Sequence, residues 1–348
     1  MYRIKRQNKT VQTVIILFAI VLTTGALTQS ATVWGDIRNL DTIHYTDRGR
    51  TREMRGTVEK FNRRELQILL LGGQRRTIDS KNVVRIDTNR TPGHRAARLA
   101  AANQQYAKAS SGYFRLLENG LEDRDWVRRE MQYELVLALA AEGKYGLAAR
   151  EFSKLWASNC PPSYFSAIPL VWTGGFVCSP RNETIAEGWL RSQSDVERLM
   201  GASLLIGSGK TEDATKATRQ LSQTATNPVA ALALCQSLRP RVPKATEEDV
   251  QICRQAIDRL NPTVRDGPYY ILGRLYAAKG EHQKAAVAAM RVPILFQNPR
   301  LAAESLLTAG KSMIKSGLIE DGHRIYKELI SSYPQSKAAE EARREITR

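Results

Sequence analysis

The segment DGPYYILGRLYAAKGEHQKAAVAA, residues 266–289, contains the pattern that decides the fold of most of this chain. Apolar residues recur every three or four positions on both sides of Gly280, which is typical of two amphipathic helices joined by a tight turn. Gly273 and Ala285 place one small residue on each helix. Because small residues let two backbones approach closely, the segment predicts an antiparallel helical pair.

The helical-pair pattern recurs along the chain. AAEGKYGLAAREF at Gly143 and IKSGLIEDGHRIY at Gly317 align with AAKGEHQKAAVAA at Gly280, and each segment has a small residue five places after the glycine. Prolines recur in steps of 34, 37 and 35 residues, at Pro228, Pro262, Pro299 and Pro334. Repeats of this length predict a solenoid, in which each helical pair buries its apolar face against its neighbours.

These repeats resemble the tetratricopeptide repeat (TPR) family, whose units are pairs of antiparallel helices. Two groups of residues match the family's large, small, Gly and Pro positions: Tyr269, Leu272, Gly273, Tyr276, Gly280 and Ala285, then Leu306, Gly310, Met313, Gly317, Tyr326, Leu329 and Pro334. Four residues depart from the family's preferences: Gln132, Cys160, Gln297 and Gly322. The resemblance implies a mainly α chain with a TPR-like α-solenoid of antiparallel helix pairs over residues 94–348, after a linker at 91–93.

Residues 36–90 carry a different pattern, in which apolar and polar positions alternate. Five short runs with this period of two, separated by turns such as Gly72-Gly73, predict five β-strands. Their layout resembles SH3-like or Sm-like small barrels, so we expect a five-stranded β-barrel module. Nine arginines lie on its turns and outward positions: Arg48, Arg50, Arg52, Arg55, Arg63, Arg64, Arg75, Arg76 and Arg85.

The N-terminus has the order of features found in export signals. Four basic residues within the first nine precede an apolar run from Val14 to Leu27, and small and polar residues follow. About 14 apolar residues form a helix of ~21 Å, shorter than the ~30 Å hydrocarbon core of a bilayer. Residues 1–35 therefore predict a secretory signal peptide, with an uncleaved membrane anchor as the alternative. We expect an exported protein that is periplasmic or associated with the cell envelope.

The chain contains four cysteines, which form two sequence-adjacent pairs whose members are 18 positions apart. The predicted export determines how these cysteines are interpreted. An oxidising compartment favours disulfides, and we predict Cys160–Cys178 and Cys235–Cys253. The alternative is four buried free thiols. Residues 160–178, CPPSYFSAIPLVWTGGFVC, are rich in Pro, Gly and aromatic residues and predict a loop inserted into the solenoid.

The sequence contains no pattern that predicts catalysis, a cofactor or a metal site. LLIGSGKTED, residues 204–213, lacks the first glycine of a phosphate-binding loop and the strand that must precede it. The four histidines are predicted to lie on the surface: His44, His94, His282 and His323. We therefore expect a non-enzymatic protein.

Binding is the expected activity. The TPR resemblance implies a concave groove lined by Tyr133, Leu137, Tyr270, Arg274, Leu307, Lys311 and Lys315. The end segment YPQSKAAEEAR, residues 333–343, is similar to the terminal repeats of exported TPR proteins of the Tol-Pal accessory and outer-membrane assembly type. The expected function is an exported adaptor or scaffold that binds protein or peptide partners at the envelope.

The net charge of +17 suggests an alternative function. The Arg-rich β-module could bind a polyanion or nucleic acid while the solenoid serves as an oligomerisation arm. An anionic envelope polymer or lipid surface is the preferred polyanion, because the module lacks interleaved aromatic residues for stacking nucleic-acid bases.

Overall fold

The computed structural model describes residues 40–347, apart from residues 175 and 297. The predicted signal peptide, residues 1–35, lies outside the described residues. Two compact units divide between Arg90 and Thr91. Within the described part of the chain, no helix is both long enough and apolar enough to cross a bilayer.

The first unit is a five-stranded antiparallel sheet, as the alternating pattern predicts. Its strands are β1 (Asp41–Asp47), β2 (Arg50–Phe61), β3 (Glu65–Leu70), β4 (Arg75–Asp79) and β5 (Val83–Asp87). The strand order is β4-β3-β2-β1-β5, so consecutive strands form hairpins and only β5 returns to pair with β1. Apolar side chains on one face form its core: Ile43, Val58, Phe61, Leu66, Ile68 and Ile78.

The second unit is helical, which confirms the prediction of a mainly α chain. Its helices run in chain order as α1 (Pro92–Ala102), α2 (Tyr106–Asn119), α3 (Asp125–Ala141), α4 (Tyr145–Ala157), α5 (Pro180–Leu190), α6 (Asp195–Leu205), α7 (Thr211–Thr224), α8 (Val229–Leu238), α9 (Glu247–Asp258), α10 (Asp266–Ala278), α11 (His282–Leu295), α12 (Pro299–Lys315), α13 (Ile319–Ser332) and α14 (Lys337–Ile346). Residues 91–93, predicted as a linker, form the cap and first turn of α1. The Thr91 hydroxyl accepts from the His94 amide, and Pro92 fits the first helical position.

Successive helices pack side by side, and alternate helices also touch. From α4 to α14, each even-numbered helix contacts the next even-numbered one, so these helices form a continuous layer. Close packing occurs at the small residues that the repeat pattern singles out. A Cβ added at Gly273 would lie 3.2 Å from the carbonyl oxygen of Ala285, and one at Gly310 would lie 2.4 Å from the ring of Tyr326. Glycine at these positions therefore sets the spacing within α10/α11 and α12/α13.

The loop between α4 and α5 runs into the interior of the helical unit. It begins with a short 3-10 helix, Pro162–Ala167, and continues as an extended chain in which residues 169–173 are buried. The backbone of Val171 bonds to two helices: its N–H donates to Ser203 Oγ of α6 (2.8 Å), and its carbonyl accepts from Gln236 Nε2 of α8 (3.1 Å). Trp172 packs against Gly267 of α10, where an added Cβ would lie 1.9 Å from the indole.

The helical unit also joins its first helices to its last. Gln104 Nε2, between α1 and α2, donates to the carbonyl oxygen of Ser332 at the end of α13 (2.9 Å). The Arg300 guanidinium, in the first turn of α12, lies 5.5 Å from the ring centroid of Tyr145 at the start of α4. The helical unit therefore curves enough for helices far apart in the sequence to meet.

Candidate functional site

A cavity of about 1000 Å³ lies where the first and last helices meet. Helices α1 to α4, the inserted loop and the segment joining α11 to α12 supply its walls. Seven aromatic side chains lie in the lining, together with aliphatic ones: Tyr106, Tyr113, Tyr133, Tyr145, Trp172, Phe296 and Tyr333. This combination of volume and aromatic surface suits a flexible ligand with apolar side chains.

Three leucines leave apolar surface open to solvent at this cavity. Leu99 is 63% exposed, Leu137 is 39% exposed and Leu295 is 62% exposed, and all three line it. They come from α1, α3 and α11. Exposed apolar side chains that gather around one concavity mark a binding surface more strongly than scattered ones.

One charged network in the cavity wall centres on Glu134. Its carboxylate contacts His94 Nε2 (2.7 Å) and Arg98 Nε (3.2 Å). The prediction of a surface histidine is wrong for His94, which is buried because it follows the Thr91 cap on the inward face of α1 and reaches this acid. Burial, and after it the negative charge of Glu134, raises the pKa of Tyr113. With its carboxylate engaged by two basic partners, Glu134 serves to hold α1 against α3.

A second carboxylate, Asp266, lies at the start of α10. Burial is the largest influence on it and raises its pKa, while a hydrogen bond from Asn298 Nδ2 (2.8 Å) opposes that effect. Asp266 and Asn298 both line the cavity, so a polar ligand group has partners there. Among the described residues, no group of three or more His, Cys, Asp or Glu side chains is arranged to hold a metal ion.

The seven predicted groove residues do not share one surface. Tyr133 and Leu137 line the cavity, where Tyr133 stacks on Tyr164 of the loop (4.7 Å between ring centroids). Tyr270 is buried, and Arg274 lies over its ring. The remaining three lie on α12: Leu307 is buried, Lys311 is paired with Glu341, and Lys315 is exposed near the helix end.

The inserted loop explains this division. Trp172 of the loop covers the first turn of α10, and a Cβ at Gly174 would lie 3.7 Å from Arg274 Nη1. The loop thus passes between the two parts of the predicted groove. Tyr145, Arg239 and Arg300 also lie near Tyr270 and Arg274, and the sequence does not predict them because no local pattern links these residues.

The four cysteines are free thiols in this structure. Cys235 and Cys253 lie side by side in the core, and a thiol-thiol hydrogen bond and burial raise the pKa of Cys253. Cys160 is buried, and Cys178 belongs to a different apolar cluster. Both disulfides stay predictions, and Cys235–Cys253 is the pair that the fold brings together.

Part of the positive charge of the β-unit is paired with acidic side chains. Arg52, Arg75 and Arg85 each pair with a carboxylate of the same sheet: Asp47, Glu59 and Asp87, respectively. Along β2, Arg52 and Arg55 point to opposite faces because successive side chains alternate. This arrangement divides the positive charge that polyanion binding would need.

Comparison with known proteins gives no family assignment. No protein-family model matches the chain, and no curated protein matches it.

Proposed function

We propose that this protein is an exported, non-enzymatic adaptor of the cell envelope, built on a TPR-like solenoid that binds an extended segment of a partner protein. The single observation that carries the proposal is the cavity at Leu99, Leu137 and Leu295, where exposed leucines surround an aromatic interior. Apolar side chains of a partner gain most from such a surface, because their burial removes both partners' apolar area from water.

The polar groups of the cavity favour a polypeptide over a purely apolar ligand. Gln104, Asn298 and Thr173 lie in the lining among the aromatic residues. Gln104 and Asn298 already bond to Ser332, Asp266 and Leu301, but amide and hydroxyl groups can each make more than one hydrogen bond. They can therefore also bond to peptide amides, which a hydrocarbon chain does not offer. The close approach at Gly273 and Gly310 supports the TPR interpretation, since the family uses small residues at these positions.

Site-specific photo-crosslinking tests the proposal. A photoreactive amino acid at Leu137 is expected to capture a partner protein in intact cells, whereas the same group at Leu318 is not. Leu318 is a matched control because it is 41% exposed, against 39% for Leu137, and lies in the turn before α13.

The captured protein must then bind the purified chain directly. Leu137→Asp is expected to weaken that binding at least about tenfold, because it places a charge in the apolar contact, while Leu318→Asp leaves binding unchanged. Equal capture from both positions, or equal binding by both variants, would refute the proposal.

A further inference from the structure

Three arginines converge on the inner surface of the helical unit beside the cavity. Arg239 follows α8, Arg274 lies on α10 and Arg300 opens α12. Tyr145 and Tyr270 lie among them: Arg300 covers the ring of Tyr145 at 5.5 Å, and Arg274 covers that of Tyr270 at 5.9 Å. The helices α8, α10 and α12 are successive neighbours in one layer, which brings the three arginines to adjacent positions, and the positive charge of Arg239 acts on both tyrosines.

None of the three arginines has an acidic partner. Throughout the described part of the chain, no carboxylate lies within ion-pair distance of these guanidinium groups. Arg239 Nη1 donates to the carbonyl of Ser203 (2.9 Å) and to Gln236 Oε1 (2.8 Å), which leaves its Nε and Nη2 unused. Arg274 has only a 3.4 Å contact with the Tyr270 hydroxyl. Most of the N–H groups of the cluster are therefore free to bind.

The setting of the cluster makes this excess of positive charge unfavourable. Burial lowers the pKa of Arg239 to about 10, and the neighbouring charge of Arg274 acts in the same direction. Two carboxyl groups face the region, Glu304 and Asp266, and burial raises the pKa of both. Three cations held together without direct ion pairs are a common feature of anion sites, because the bound anion supplies the missing charge.

We propose that Arg239, Arg274 and Arg300 form a binding site for a phosphoryl group. A phosphate monoester carries a charge of about −1.5 to −2 and three free oxygens, so each guanidinium can bind a different oxygen. A single carboxylate offers two oxygens and one charge, which is too few for three arginines. All three side chains and Glu304 are partly exposed, so solvent and ligand can reach them. The site is separate from the leucine-lined opening and does not depend on a peptide partner.

Isothermal titration calorimetry tests the site, with inorganic phosphate titrated into the full chain. Arg274→Gln and Arg300→Gln are each expected to weaken phosphate binding about tenfold or more, since each removes charge-assisted hydrogen bonds. Arg291→Gln is the matched control, because Arg291 also lies over a tyrosine ring (4.9 Å from Tyr269) but outside the cluster. It is expected to bind phosphate like the wild type.

Glu304→Gln provides a variant with the opposite sign. It removes a carboxylate that faces the cluster, so it is expected to tighten phosphate binding several-fold, an effect that misfolding cannot produce. Absence of binding by the wild type, equal weakening by Arg291→Gln, or weaker binding by Glu304→Gln would overturn the proposal.

Two further probes identify the source of the phosphoryl group. Glycerol 3-phosphate represents a soluble phosphomonoester, and vesicles of phosphatidic acid in phosphatidylcholine represent a lipid phosphomonoester headgroup. Loss of binding to one of these probes in Arg274→Gln and Arg300→Gln, but not in Arg291→Gln, assigns that source. Binding of both probes that is unaffected by these substitutions would refute the site.

Discussion

At the scale of single residues, two features of the structure require glycine at position 143. Its φ of +82° lies in the left-handed region, and a Cβ there would lie 1.9 Å from Arg300 Nη1. The first requirement is local and follows from a helix-helix turn, so the repeat pattern reveals it. The second comes from a side chain 157 positions along the chain (300 − 143), which no sequence pattern shows.

Gly143→Ala and Gly280→Ala separate these two requirements. Gly280 has nearly the same φ, +80°, but no atom lies within 4 Å of an added Cβ. We expect Gly280→Ala to lower the free energy of unfolding by about 1 kcal/mol through backbone strain alone. Gly143→Ala is expected to cost roughly 1 kcal/mol more, because Arg300 must also move. Urea denaturation measures both values, and equal losses would contradict the Arg300 contact.

At the scale of elements, the inserted loop is part of the packed interior. Pro, Gly and aromatic residues in 160–178 predict a loop, and packing of Phe165, Trp172 and Phe176 against the helices is favoured over their exposure to a partner. Its Phe165, Leu170, Val171 and Trp172 are buried, and the backbone of Val171 is held by side chains of α6 and α8. A buried extended segment requires such partners, because its amides cannot reach water. The polar side chains of Ser203 and Gln236 therefore serve the inserted loop, whose backbone they bind, and not the packing of their own helices.

Ser203→Ala tests the role of these bonds. It leaves the buried Val171 N–H without an acceptor, so we expect the free energy of unfolding to fall by about 1–3 kcal/mol. Ser237→Ala is the control, because Ser237 Oγ donates only to the carbonyl of Leu234 in its own helix (2.7 Å). Thermal and urea denaturation should show a smaller loss for Ser237→Ala. A Ser203→Ala protein as stable as the control would mean that the loop is not anchored at Val171.

At the scale of the whole molecule, curvature within the helical unit creates the cavity and adds Tyr145 to the arginine cluster. A straight array would separate α1 and α4 from α12 and α13, so the cavity would not exist and Arg300 would not reach Tyr145. The contacts Gln104–Ser332 and Tyr145–Arg300 join these distant parts. Repeat stability depends on neighbouring units, so a contact between remote repeats adds a coupling that a simple linear array lacks.

A double-mutant cycle of Tyr145→Leu and Arg300→Gln measures that coupling. We expect the two substitutions to interact by about 0.5–1 kcal/mol in the free energy of unfolding, the usual size of a cation-π contact. Tyr269→Leu with Arg291→Gln is the reference cycle, because it removes the same kind of contact within one helical pair. Additive losses for Tyr145 and Arg300 would show that the remote repeats do not meet.

Features that depend on short separations along the chain could be predicted from the amino-acid sequence. Alternating residues predicted the five strands, and the 3.6-residue period with its turn glycines predicted the helices, because each pattern is decided within one or two turns or strands. The TPR resemblance predicted Tyr133 and Leu137 as groove residues four positions apart on α3, and both line the cavity.

The relative positions of these elements follow from contacts between residues that are far apart in the sequence. Arg300 lies over Tyr145, and the inserted loop lies against α6, α8 and α10. The same curvature and loop separate Tyr270 and Arg274 from Tyr133 and Leu137. Local sequence patterns do not show such long-range contacts. The sequence therefore predicted the helices, whereas the cavity could be located only in the structure.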